Sequence, residues 1–201
     1  MRCLAFAILL LVYSANVAAQ EQTLANEDGE GGGFGALVLK FTSIKNKGAL
    51  IIGGRGGWII DHSLVLGGGA YALQSEVDAP EGALPLEGPL DIEFGYLGFE
   101  IEYIVKPQSP LHYSLYAFIG GGATNYAKDV GPFFKSTEQA GETKFMFVLE
   151  PAANAELNIK TWFRLNAGIS YRLVLGVTQP GLKNSDFTGL NATLTFKFGT
   201  F

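Results

Sequence analysis

The chain has 201 residues and carries 14 Lys and Arg against 19 Asp and Glu, which gives a formal net charge of −5 at pH 7. This mildly acidic balance argues against a nucleic-acid partner. Beyond the first twenty residues, no segment stays apolar for the roughly 20 residues that a membrane helix requires, so insertion as helices is excluded. With 27 glycines, 12% aromatic residues and 16% charged residues, the composition favours closed β-structure, which satisfies its own backbone.

The first nineteen residues have the three parts of a secretory signal peptide. Met1 and Arg2 form a short basic region, an apolar run covers 4–12, and Val17-Ala18-Ala19 is a small-residue cleavage site. This predicts a signal peptide over residues 1–19. The alternative is a membrane anchor, but the apolar run is well below the roughly 20 residues of a span. Since Cys3 is the only cysteine, the mature chain has no cysteine metal site, and we predict no metal and no cofactor.

Residues 20–33 are acidic, poor in large apolar side chains and end in three glycines. This composition predicts a flexible leader. The pattern changes at Phe34, and residues 34–201 are predicted to form one β-barrel domain.

Eight strands bounded by turn signals follow in that domain. Short connections at 61–63, 106–110 and 159–161 alternate with long polar segments at 75–89, 124–142 and 176–187, although the connection at 45–47 is short where a long one is due. An even strand number, with both termini at the short-turn end, predicts an all-β, eight-stranded antiparallel up-and-down transmembrane β-barrel with periplasmic short turns. A meandering soluble barrel has similar spacing. The predicted strands are 34–44, 48–60, 64–74, 90–105, 111–123, 143–158, 162–175 and 188–201.

Most strands alternate apolar and polar residues, which places the two classes on opposite faces. The fourth strand changes parity, with Ile92, Phe94 and Tyr96 out of step with Leu97 and Phe99. A β-bulge near Tyr96-Leu97 is therefore predicted.

Charged residues of both signs lie on the polar faces. In an eight-stranded barrel the interior is just wide enough for side chains, so these charges are predicted to pair across the lumen and plug it. The alternative is a secreted lipocalin-like barrel, with charges outside and a small apolar ligand inside. The predicted lumen charges are Lys40, Arg55, Lys144, Arg164, Arg172 and Lys197 with Glu93, Glu100, Glu102, Glu150 and Glu156.

Aromatic residues favour the membrane alternative. Trp58, Tyr103 and Trp162 each lie close to a predicted short turn, and Phe34 and Phe201 lie at the same end. Such a girdle is typical of membrane–water interfaces. The glycines at 53–57 and 67–69 are predicted to ease curvature and to leave room for large lumen side chains.

Two segments carry a family resemblance. They are Gly-Gly-Arg-Gly-Gly-Trp-Ile-Ile at 53–60 and Phe-Lys-Phe-Gly-Thr-Phe at 196–201, and with them the chain resembles the small OmpA/OmpX-like outer-membrane β-barrels of Gram-negative bacteria. The resemblance implies a location in the outer membrane and recognition of the last strand by the barrel assembly machinery, with Phe201 as the signal. Phe201 is out of phase with Phe198, so a bulge or fraying at Gly199-Thr200 is expected.

One constellation suggests catalysis. His112 and Ser114 share a face of the fifth strand, and pairing through the 106–110 turn is predicted to bring Glu102 opposite His112. Acyl-transfer sites are built from Ser, His and Glu or Asp side chains. The His-x-Ser spacing here also resembles the His-x-Ser motif of barrel lipid A deacylases. The alternative, which we prefer, is a structural Glu102/His112 pair in the lumen and no catalytic residue.

The sequence thus predicts a monomeric, non-enzymatic outer-membrane protein that contacts outer-membrane lipid and acts through its loops, above all 75–89 and 124–142 with Phe133-Phe134. A soluble ligand-binding barrel, a lipid-modifying enzyme and a narrow channel are the alternatives.

Overall fold

The structure, a computed structural model, describes residues 31–84, 90–128 and 138–201. The predicted signal peptide and the leader up to residue 30 lie outside the described residues. Within these ranges, no helix has the length and apolar character needed to span a membrane. The elements are β1 (Gly32–Ile44), β2 (Lys47–Ile60), β3 (Leu64–Leu73), β4 (Asp91–Val105), β5 (Leu111–Lys128), β6 (Glu138–Lys160), β7 (Phe163–Leu175), the helical turn α1 (Asn184–Phe187) and β8 (Gly189–Thr200).

Each strand pairs antiparallel with its neighbour in sequence, and β8 pairs with β1 to close the barrel. The closing seam is regular from Gly33↔Thr200 to Phe41↔Ala192. The predicted eight-stranded antiparallel up-and-down β-barrel is confirmed. We call its two rims the short-turn end, where the chain leaves β8, and the long-loop end.

Strand boundaries differ from the prediction mainly where strands are polar or glycine-rich. β1 begins at Gly32, so Gly32 and Gly33, assigned to the flexible leader, instead pair with Ile59 and Trp58. β5 and β6 extend further towards the long loops, with a register shift after Thr124. The prediction was wrong at these ends because a β-ladder is held by backbone hydrogen bonds, which need no apolar side chain.

The predicted bulge near Tyr96-Leu97 is wrong. The β4–β5 register runs without interruption from Asp91↔Ala127 to Val105↔Tyr113. Tyr96 and Glu100 are both buried on the inward face. The apparent change of parity arises because the lumen itself changes from aromatic to charged along this strand.

The expected irregularity at Gly199-Thr200 is also wrong, because β8 stays in register to Thr200. Phe201 therefore falls on the inward side of the rim. Its ring stacks on Phe34 with 6.3 Å between centroids, and the Arg164 guanidinium carbon lies 4.0 Å from its centroid.

Two buried apolar clusters lie inside the barrel. The larger fills the long-loop half and includes Phe94, Phe118 and Phe187. The smaller lies near the short-turn end around Phe34 and Ile104. Charged side chains occupy the space between and beside them.

Candidate functional site: a charged lumen under a loop cap

Among the described residues, the inward faces of the strands bury ten lysine, arginine, glutamate and histidine side chains, each at most 8% exposed. Burial of this many charges is tolerated only when they pair and are hydrogen-bonded. They are Lys40, Arg55, Glu100, Glu102, His112, Glu150, Glu156, Arg164, Arg172 and Lys197.

Seven of them form a continuous network that we call the short-turn cluster: Arg55, Glu100, Glu102, His112, Glu156, Arg164 and Lys197. Arg55 bridges two carboxylates, with Nε 2.9 Å from Glu100 Oε2 and Nη2 2.6 Å from Glu102 Oε2. Lys197 Nζ lies 3.1 Å from both oxygens of Glu102 and also contacts Glu156. The two cations therefore link all three carboxylates of the cluster.

Glu156 is the most heavily bonded carboxylate of this cluster. Besides Lys197, it contacts Arg164 Nη1 at 3.1 Å, Asn166 Nδ2 at 3.3 Å and His112 Nε2 at 3.1 Å. The other ring nitrogen of His112 lies 3.0 Å from the carbonyl oxygen of Ser109. His112 thus ties the turn between β4 and β5 to the lumen network.

Hydroxyl groups complete the coordination of the remaining carboxylates. Tyr71 and Tyr116 donate to Glu100 Oε1 at 2.5 and 2.6 Å. Ser114 donates to Glu102 Oε1 at 2.5 Å. Charge-assisted bonds of this kind are about twice as strong as neutral ones, so these hydroxyls help to offset the cost of burying the carboxylates.

A second group, the long-loop cluster, is built around Glu150 and consists of Lys40, Tyr96, Glu150, Ser170 and Asn191. Lys40 Nζ lies 2.9 and 3.0 Å from the two Glu150 oxygens. Tyr96, Ser170 and Asn191 donate to the same carboxylate at 2.9, 2.6 and 3.3 Å. Glu150 is fully buried, with four donors around it.

Arg172 differs from the other buried cations in its partners. Its Nε donates to the carbonyl oxygen of Phe187 at 2.7 Å, Nη1 to Asn191 Oδ1 at 3.0 Å and Nη2 to Thr42 Oγ1 at 3.3 Å. All three acceptors are neutral. Arg172 is completely buried, and it fastens the end of α1 to the barrel wall.

Glycine provides the space for this filling, as predicted for 67–69. A Cβ at Gly69 would overlap Glu100 Oε1 and the Tyr71 hydroxyl, and one at Gly168 would overlap the Asn154 amide. Large side chains fit inside so narrow a barrel because their neighbours on the wall have none.

Three predicted placements are corrected. Glu93 alternates with the buried Ile92 and Phe94 and faces outward, because β4 has no bulge. Lys144 has inward parity but lies at the rim, where it pairs with Glu142 at 2.6 Å. Glu102 is not opposite His112, since the register places Glu102 beside Tyr116 and His112 beside Glu156.

Sequence reasoning missed the uncharged side chains that bond the carboxylates of the two clusters. Tyrosines were counted as apolar, although their hydroxyls bond the lumen carboxylates. The available signal was parity, because these residues share the inward face with the charges. They are Tyr71, Tyr96, Tyr116, Asn166, Ser170 and Asn191.

The arrangement does not form an acyl-transfer site. A serine nucleophile needs a free base within hydrogen-bond reach. Ser114 donates to Glu102 and receives a bond from Asn154 Nδ2 at 3.3 Å. The Glu102 carboxylate is already bound by Arg55 and Lys197, so it is not a free base. The His112 ring is bonded to Ser109 and Glu156 instead. Ser114 and His112 are 2% and 1% exposed, so neither offers an open surface to substrate.

Two loop segments pack against the long-loop end, and we call them the loop cap: residues 74–84 and 176–188. Val77 and Phe187 are fully buried in it. The amide of Ile92 donates to Val77 O, and that of Lys45 to Asp186 O, both at 2.8 Å. The short β1–β2 turn is thus covered by α1, which explains how a short connection occurs at the long-loop end.

An exposed ion pair joins the cap to β2. Lys47 contacts the Asp78 carboxylate, and this hydrogen bond holds the pKa of Asp78 below its ordinary 3.8. The predicted contact residues Phe133-Phe134 lie outside the described residues.

The outer wall of the barrel is apolar. Phe99, Phe145 and Trp58 are 78%, 77% and 76% exposed. Tyr103 and Trp162 also face outward near the short turns, as predicted for a girdle, whereas Phe34 faces the lumen, contrary to the prediction. A water-soluble protein rarely exposes so much contiguous apolar surface. The arrangement is the opposite of the lipocalin-like alternative.

No protein-family model matches the chain, and no curated protein matches it. Solved structures do match. Neisserial surface protein A is 13% identical, with a TM-score of 0.58, over 84% of this chain and 96% of that one. The N-terminal β-barrel domain of Pseudomonas aeruginosa OprF is 14% identical, with a TM-score of 0.54, over 85% of this chain and 98% of the OprF domain. These neighbours are eight-stranded outer-membrane barrels, which confirms the fold that the sequence resemblance implied.

Proposed function

We propose that the protein is an integral outer-membrane barrel with a sealed lumen, which acts as a structural or surface-interaction protein and not as a pore or an enzyme. The observation that carries the proposal is the inversion of polarity across the wall, with paired charges inside and an apolar band outside. The apolar outer face is suited to contact with lipid. Because the eight strands form a closed barrel, no unpaired strand edge would face the lipid.

Two features support a sealed lumen. The short-turn and long-loop clusters occupy the interior with side chains that bond one another. Above them, the loop cap packs buried Val77 and Phe187 over the opening. In planar bilayers we expect no steady conductance. A large ohmic conductance in the purified chain would contradict the sealed lumen, and a small selective one would favour the narrow-channel alternative.

Membrane insertion is tested by a charge on the outer wall. Phe99→Arg should lower the folded, heat-modifiable fraction on an unboiled gel of the membrane fraction, since a lipid-facing arginine costs about 2–4 kcal/mol near the bilayer midplane. Thr178→Arg, in the exposed part of the cap, is the matched control. If both variants behave like the wild type and the protein is recovered in the soluble fraction, the membrane proposal is wrong.

The loop cap is the proposed contact surface, with the short turns in the periplasm. Neisserial surface protein A is, by its name, a surface protein, which supports this orientation. Protease added to intact cells should cut an engineered site at Gly181, which is exposed in the cap, and should spare one in the 106–110 turn. Cleavage at the 106–110 turn with protection of the Gly181 site would show that the short turns, and not the loop cap, face the cell exterior.

The C-terminal strand is the proposed contact with the barrel assembly machinery, and the folded chain is proposed to be a monomer. Sedimentation equilibrium in detergent, with the solvent density matched to that of the detergent, tests the monomeric state. A dimer would give twice the protein mass of one chain.

A further inference from the structure

A small cavity lies in the lumen between the two charged clusters. Its volume is about 20 Å³, and the lining side chains include Lys40 and Glu150 from the long-loop cluster and Arg55 from the short-turn cluster. Asn154, Ser170 and Thr193 add further polar groups. A buried space of this size holds one water molecule, and buried cavities that stay dry are lined by apolar groups.

One wall of the cavity carries a polar group without a partner. The Thr193 hydroxyl oxygen is buried and, among the described residues, forms no hydrogen bond. On β8, Thr193 is paired with Lys40 on one side and Gly168 on the other. Lys40 reaches away to Glu150, and Gly168 has no side chain, so neither neighbour satisfies the hydroxyl. An unsatisfied buried hydroxyl costs about 1–3 kcal/mol.

We propose that a single structural water binds in this cavity, hydrogen-bonded to Thr193 Oγ1 and to polar groups of both clusters. The site is specific for water in two ways. Its size fits one molecule, and its wall combines cationic Lys40 and Arg55 with anionic Glu150, so neither a bare cation nor an anion avoids a like charge. A water both donates and accepts, which satisfies all of these groups.

The water adds hydrogen bonds between clusters that the side chains otherwise connect through the Tyr71 ring, which also lies 5.0 Å from the Tyr96 ring between centroids. Lys40 Nζ lies 3.6 Å from the centroid of the Tyr71 ring, and Tyr71 donates to Glu100. With the water in place, hydrogen bonds connect Glu156 near one rim to Asn191 and Arg172 near the other. The lumen then unfolds as one unit and not as two independent halves.

A crystal structure of the full chain in detergent, at a resolution where waters are refined, tests the site directly. Density for one water within hydrogen-bond distance of Thr193 Oγ1 supports the proposal. An empty cavity overturns it, as does an anomalous peak at this position in a crystal grown with bromide, which would identify an anion site.

The sign of a stability change gives an independent test. Thr193→Val keeps the shape but removes the hydroxyl. If the water is present, the variant removes one of its hydrogen-bond partners. The equilibrium constant for urea unfolding in lipid vesicles should then rise about fivefold. If the hydroxyl is an unpaired group in a dry cavity, the same change should lower that constant and would overturn the proposal. Thr193→Ser retains the hydroxyl, and its crystal structure should keep the water.

Discussion

The two halves of the lumen share one wall and one inward parity, but they are filled by different chemistry. In the short-turn half, Arg55, Lys197 and Glu156 each pair with more than one ion of opposite charge. In the long-loop half, one ion pair, Lys40 with Glu150, lies beside a cluster of aromatic rings that continues into the loop cap. The comparison shows that one narrow lumen accommodates paired charges in one half and apolar rings in the other.

The strongest test of the short-turn half is Glu156→Ala. The change leaves Arg164, Lys197 and His112 without a shared carboxylate, and breaking a buried ion pair by removing one partner costs about 3–5 kcal/mol. We expect a loss of this size in the free energy of unfolding in lipid vesicles. Glu142→Ala is the control, because it breaks only the exposed pair with Lys144. Equal, small losses for both variants would mean that the network contributes little.

A smaller effect is expected for Arg172→Met in the long-loop half. The variant keeps most of the side-chain volume but loses three bonds, including the one to Phe187 O. A charged hydrogen bond contributes about 1.5–3 kcal/mol, and here much of the loss should appear as opening of the loop cap. Amide exchange should accelerate in 176–188 and at the β1–β2 turn, while exchange at the short-turn end of β4 and β5 stays unchanged. Uniform acceleration over the whole barrel would show that Arg172 supports the wall and not the cap.

The closing rim is tested by Phe201→Ala. Loss of the contact with Phe34 and of the cation–π contact with Arg164 should lower stability by about 1 kcal/mol in refolded protein. If Phe201 is also the assembly signal, the amount of folded barrel in cells should fall much further than this loss explains. Phe201→Tyr, which keeps the ring, should behave like the wild type in both measurements. If the amount of folded barrel in cells falls only as far as the stability loss of refolded protein explains, Phe201 has a structural role and is not the assembly signal.

The smallest effect concerns the exposed pair of Lys47 and Asp78. The depressed pKa of Asp78 means that this carboxylate adds stability above its unfolded pKa and loses it as the pH falls through the lower folded value. Wild type and Asp78→Asn should therefore differ slightly in cap amide exchange at about pH 5 and converge at about pH 2. A difference that grows on acidification would contradict the assigned sign.

Much of the candidate site was predictable from parity, and the errors have two causes. Lys40, Arg55, Glu150 and Lys197 were placed inward because their strands alternate cleanly. Glu93 was misplaced because the rule that apolar residues face lipid fails where the lumen itself is aromatic. The sequence did not predict which charged side chains contact each other. Glu102 and His112 are close in sequence, but the strand register pairs each of them with another residue.

The sequence by itself determined the eight strands, the closed barrel and the face on which most charges lie, because a period of two and turn spacing are local properties of the chain. Only the tertiary structure decided which charges meet, that Phe201 turns inward, and that 74–84 and 176–188 form a cap whose second segment is held by Arg172. These outcomes depend on strand register and on side chains reaching across the lumen. Both arise from long-range geometry, which local periodicity does not encode.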